Sequence, residues 1–99
     1  MDEMQARAKE VAELLKVLAN ENRLLILCEL IKEPQSVSTL LEKLTITQSG
    51  LSQHLALLRA NGILDYRKKA QTIIYSIKDE KIYKLMQVLK ETYCTDELR

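Results

Sequence analysis

Ninety-nine residues, 46% hydrophobic and 29% charged, suffice for one small globular domain spanning residues 1–99. No apolar run approaches the roughly 18 residues of a membrane span, and the start Met-Asp-Glu-Met-Gln lacks a basic and apolar leader, so a cytoplasmic protein with no membrane partner is expected. The net charge of +1 hides an asymmetry: residues 44–78 hold five basic side chains and Asp65 as their one acid, whereas the flanking segments are each net negative.

In chain order, a first helix is predicted from about Met4 to Leu18, with Val11, Leu14, Leu15 and Leu18 on one face. Asn20 is placed to cap a second helix from Glu21 to about Ile31, whose apolar residues include Leu24, Leu27 and Cys28. Lys32-Glu33-Pro34-Gln35 ends it, because proline removes a backbone donor and restricts the residue before it. Ser36 then caps a short third helix over Val37 to Leu44, and Thr47 caps a fourth that ends at Asn61-Gly62. The period changes to two beyond Gly62: Leu64, Tyr66 and Lys68 share one side of a strand, and Ile73, Tyr75 and Ile77 one side of the next. Arg67-Lys68-Lys69-Ala70-Gln71 reads as the basic tip joining them, and Asp79 caps a last amphipathic helix to about Tyr93. The predicted fold is mainly α, a winged helix-turn-helix of order ααααββα. The apolar faces of the first and last helices exceed what the small core can easily cover, which points to a homodimer through these terminal helices.

Residues 45–59 carry the chemistry. As a helix they place Leu51, Leu55 and Leu58 on one side, and Gln48, Ser49, Ser52 and Gln53 on the other. Ser and Gln donate and accept at base edges, and the absence of carboxylates spares a phosphate backbone from repulsion. The expected partner is double-stranded operator DNA. Gln48, Ser49, Ser52 and Gln53 are expected at base edges, His54 at a phosphate or packed inside, and Arg67, Lys68, Lys69 and Gln71 at the backbone or minor groove. A protein-interaction module would instead expose large apolar or acidic groups there. An enzyme is not expected: Ser52 and His54, two apart on a helix, do not face each other, and no acid lies near to orient the histidine.

Two segments carry a family resemblance. Leu18-Ala19-Asn20-Glu21-Asn22-Arg23-Leu24-Leu25-Ile26-Leu27 and Gln48 through Arg59 resemble the second-helix opening and the recognition helix of the ArsR family of bacterial repressors. The resemblance, which runs through the wing from Gly62 to Tyr75, covers nearly the whole chain. It implies a homodimeric repressor that leaves its operator when an inducer binds or modifies it. The family's metal patterns are missing: Ser36-Val37-Ser38-Thr39-Leu40-Leu41 has no thiol, the last helix has no histidine, and His54 is the single histidine in the chain. No metal or other cofactor is expected.

The two cysteines, Cys28 and Cys94, read in two ways. By spacing alone, Cys28 is better explained as a small packed hydrophobe, and Cys94 as a terminal thiol without a role. The wing tip Lys69-Ala70-Gln71-Thr72, without the usual glycine and arginine, and the positions of the two cysteines resemble the dithiol subgroup of the family. That resemblance implies sensing of reactive sulfur species or oxidants through Cys28 and Cys94. A general thiol or peroxide sensor, or a regulator without redox chemistry, is the alternative.

Overall fold

The computed structural model describes residues 2–93. Its elements are α1 (Glu3–Leu18), α2 (Glu21–Leu30), β1 (Gln35–Ser36), α3 (Val37–Lys43), α4 (Gln48–Ala60), β2 (Leu64–Lys69), β3 (Thr72–Ile77) and α5 (Glu80–Tyr93). Three helix starts form for the local reason expected. The side chains of Asn20, Ser36 and Thr47 accept from the backbone N–H three residues on, at Arg23, Thr39 and Gly50. Each satisfies one of the donors that a helix start leaves without an intrahelical partner.

The core is aliphatic. Ile26 and Leu27 of α2, Leu40 of α3, Leu51, Leu55 and Leu58 of α4, and Ile82 and Met86 of α5 are almost wholly buried together. The leucine side of α4 therefore faces inward, as its period requires. α4 ends in a Schellman turn: Ile63 N–H donates to the Leu58 carbonyl and Gly62 N–H to that of Arg59, both at 3.0 Å. Gly62 takes φ 74°, and Ile63 drops into the core beside Leu58. That turn launches the wing.

The sheet holds one strand more than the sequence reading, which went from the second helix straight to the cap of the third. Gln35 and Ser36 pair antiparallel with Tyr75 and Ile74, so the order is β1-β3-β2. Two residues are too few for an alternating period to register. Their pairing rests on a tertiary contact, the buried Gln35, whose amide donates to the Glu29 carbonyl at 2.7 Å while its Oε1 accepts from Lys43 at 3.1 Å. Glu29 closes the same knot with ion pairs to Lys32 (3.1 Å) and Lys43 (3.5 Å). Burial pushes the Glu29 carboxyl up, but the hydrogen bond and charge of Lys32, the Gln35 amide and the Lys43 charge outweigh it and hold the group below the ordinary carboxylate range. The hairpin tip is also tighter than expected: Arg67, Lys68 and Lys69 belong to β2, and Ala70 and Gln71 make the turn.

α1 stands apart. Leu18 is its one buried residue, with Leu14 and Val17 packed against the core, while Met4, Val11 and Leu15 stay exposed. Among the described residues no helix is long and apolar enough to cross a membrane.

Candidate nucleic-acid interface

α3 and α4, joined through residues 44–47, form the helix-turn-helix. Leu44 and Ile46 of the connection pack on the core, which sets the angle of α4. A Cβ on Gly50 would stand 3.0 Å from Thr47 Oγ1 and 3.5 Å from Ile46 Cγ1, so this close entry into α4 favours glycine. The first turn of α4 contains no acid. Its positive dipole end and free N–H groups are thus unopposed toward a phosphate.

The expected contact residues divide into three sets. Gln48 and Ser52 meet Gln71 of the wing turn around one open hollow of about 590 Å³, which Ser36 and Ser38 also border. Ser49 and Gln53 are exposed on the outer side of α4. His54 is half-buried on the other flank, where its Nδ1 accepts from Arg23 Nη1 at 3.3 Å. Ser52 and His54 thus face different neighbours, which leaves no Ser–His pair for nucleophilic chemistry.

The wing's charges divide by strand period. Tyr66 and Lys68 pair with Tyr75 and Ile73, which border the hollow, while Arg67 lies on the opposite face with Ile74, and Lys69 pairs with Thr72, which borders the hollow beside the turn. All three cations are exposed. The turn residue Ala70 takes φ 58°, a region that favours glycine.

Two connections escaped the sequence reading. Arg59 in the last turn of α4 lies over the Tyr66 ring, 4.2 Å from its centroid, and Tyr66 meets Tyr75 at 5.5 Å. Arg23 joins α2 to α4 through His54 and to α1 through Val17. The tyrosines at matching strand positions were a usable signal for the first; nothing local marked the second.

Cys28 lies half-buried in the wall of a groove of about 350 Å³ between α2 and α5, lined by Leu24, Leu25, Met86, Leu89 and Tyr93 among others. Cys94, which follows Tyr93 in the chain, lies outside the described residues. Among the described residues no three His, Cys, Asp or Glu side chains stand close enough to hold a metal ion.

Comparison with known proteins agrees with this geometry. The model of the family "Bacterial regulatory protein, arsR family" matches residues 20–66, from the cap of α2 into the wing. The transcriptional activator HlyU of Vibrio cholerae is 40% identical over 94 residues, covering 95% of this chain and 87% of that protein. A biofilm growth-associated repressor of Agrobacterium fabrum is 43% identical over 94 residues, covering 95% of this chain and 80% of that protein. The solved structure of reduced HlyU from Vibrio cholerae superposes with a TM-score of 0.90 at 40% identity, covering 96% of this chain and 100% of that one. A homodimeric winged helix-turn-helix DNA-binding domain of Mycobacterium bovis superposes with a TM-score of 0.78 at 25% identity, covering 93% of this chain and 85% of that one.

Proposed function

Because the chain belongs to the arsR family of bacterial regulatory proteins, we propose that it is a homodimeric operator-binding repressor whose hold on DNA is switched by Cys28 and Cys94. It is a DNA-binding transcriptional regulator and not an enzyme. The observation that carries the reading is the hollow between α4 and the wing, where Gln48, Ser52 and Gln71 converge with no acid among the bordering residues. Gln48, Ser49, Ser52 and Gln53 read base edges, and Arg67, Lys68 and Lys69 hold the backbone or minor groove.

The dimer reading rests on α1. A 16-residue helix that buries only its final turn is marginal in water by itself. Met4, Val11 and Leu15 need an apolar partner, and a second copy of the chain supplies one. The Mycobacterium bovis domain of the same fold is homodimeric. Two-fold symmetry then calls for an inverted repeat with half-sites about one DNA turn apart. The site of action is the bacterial cytoplasm, where the operator lies. Sedimentation checks the assembly: a monomer at micromolar concentration, both free and on DNA, overturns it.

The switch reading rests on Cys28 in the α2–α5 groove and on Tyr93, which lines the same groove immediately before Cys94. The inducer is a persulfide, R–S–SH. One cysteine thiolate attacks its outer sulfur, forming Cys–S–SH and releasing RS⁻. The second thiolate then attacks the cysteine sulfur of that adduct, forming the bridge and releasing HS⁻. Two thiols are thereby oxidised by two electrons, and the sulfane sulfur is reduced to sulfide. Further sulfane sulfurs inserted before closure lengthen the bridge across a gap too wide for a direct disulfide. A link from α2 to the end of α5 alters the scaffold that spaces the two reading helices, and affinity for DNA falls.

Mobility shifts with reduced and persulfide-treated protein, beside mass spectrometry of the bridge, test the switch. Cys28→Ser and Cys94→Ser proteins are expected to bind DNA and to ignore the persulfide. Release of DNA by the treated double-serine protein overturns the assignment. A response to peroxide but not persulfide makes the protein a general oxidant sensor instead.

A further inference from the structure

Arg23 sits in the first turn of α2, anchored by its own backbone N–H on Asn20 Oδ1 at 3.0 Å. Its side chain then makes two contacts outside its helix. Nε–H donates to the Val17 carbonyl in the last turn of α1 at 2.6 Å, and Nη1 donates to Nδ1 of His54, in the middle of α4, at 3.3 Å. All three contacts are part-buried. We propose that Arg23 is a positioning residue that couples the direction of α1 to the orientation of the recognition helix through His54. The proposal rests on the reading of α4 as the DNA-contacting helix.

The chemistry suits a rigid link. Val17 O belongs to the negative end of the α1 dipole, where a cation is favoured and carbonyls lack intrahelical donors. Guanidinium presents its donors in a fixed planar fork, so the direction toward Val17 determines the direction toward His54. An ammonium on a flexible stem transmits no such angle. Arginine has no acceptor, so Nδ1 of His54 is the acceptor in this contact. The ring thereby becomes a wedge between Arg23 and the flank of α4 next to Gln53. A change in how α1 packs on a second copy reaches the outer face of α4 as a rotation. His54 acts from behind the reading face rather than on the DNA.

The test uses the full chain and the inverted repeat that the wild-type protein selects from random duplexes, beside an unrelated duplex of equal length. Arg23→Lys and His54→Phe are each expected to weaken binding to the selected repeat about tenfold, and binding to the unrelated duplex very little. Combined, they are expected to lose no more than the worse single variant. Imidazole ¹⁵N spectra are expected to show the Nε2–H form in wild type and a mixed population in an Arg23→Lys protein whose thermal melt matches wild type, which separates the lost link from general loosening. Arg23→Lys keeps the charge and one hydrogen bond, so it retains the fold if Arg23→Ala does not. Additive losses, equal losses on both duplexes, or an unchanged imidazole spectrum overturn the coupling. A wild type that selects no sequence overturns the reading of α4 and the coupling with it; an Arg23→Lys protein that discriminates as well as a discriminating wild type overturns the coupling alone.

Discussion

The Arg59 guanidinium lies 4.2 Å from the centroid of the Tyr66 ring, so the last turn of the recognition helix is stacked on the base of the wing. The contact holds α4 and β2 at one angle, with Tyr66 braced in turn by Tyr75. A cation over an exposed ring is worth about 0.5–1 kcal/mol, and the tilted ring pair contributes about as much. Tyr66→Ala is expected to lower stability by about 1–2 kcal/mol and to weaken DNA binding, while Tyr66→Phe keeps both properties. Thermal melts and operator titrations of the two proteins check this. Equal loss in both variants assigns the effect to the hydroxyl and not to the stack.

The two sides of the DNA interface should fail differently. Gln53→Ala or Gln48→Ala is expected to cost about 1–3 kcal/mol on the preferred sequence and to relax preference at one position. Lys68→Ala or Lys69→Ala should weaken every sequence alike and flatten the slope of log affinity against log salt by about one. Binding isotherms at three salt concentrations on matched and mismatched duplexes separate the two patterns. A Gln53→Ala protein with intact discrimination removes that residue from the reading face.

Two positive-φ residues bracket the wing's first strand and predict effects of opposite sign. Gly62 has φ 74° with open space around its would-be Cβ, so Gly62→Ala meets conformational strain alone and should destabilise by about 1 kcal/mol. Ala70 has φ 58° in the exposed turn, so Ala70→Gly should be neutral or stabilise by up to about 1 kcal/mol. Urea denaturation of both variants is the measurement. A destabilised Ala70→Gly protein argues against the left-handed turn.

The Glu29 knot predicts acid sensitivity. Its carboxyl is held below the ordinary range in the folded chain, so the unfolded chain binds the proton more readily. The resulting stabilisation is fully present above the unfolded carboxylate pKa and is lost as pH falls through the lower folded value. Lys32 and Lys43 are 48% and 40% exposed, which limits the effect to about 1 kcal/mol or less, smaller still in high salt. Glu29→Gln should therefore be less stable than wild type at pH 7, and the gap should close in acid. Stability curves from pH 7 to 3 test the sign, and a gap that widens in acid contradicts it.

The start of each capped helix could be read from the residues because a cap acts over three positions. Asn20, Ser36 and Thr47 meet partners at Arg23, Thr39 and Gly50 that any extended listing of the chain already brings near. The inward face of α4 and the paired strands were equally plain, since Leu51, Leu55 and Leu58 follow the helical period and Tyr66 and Tyr75 the strand period. Gln35–Ser36 became a strand only because β3, some 40 residues later, offers its edge. Only the crossing of α2 over α4 gave His54, readable from the chain as either a phosphate contact or a packed group, its contact with Arg23, 31 residues earlier. The same packing left Val11 and Leu15 of α1 uncovered although their period matches a buried face. Period and capping decide which side of an element is apolar; which neighbour covers that side depends on how separate elements cross, and no local spacing encodes that angle.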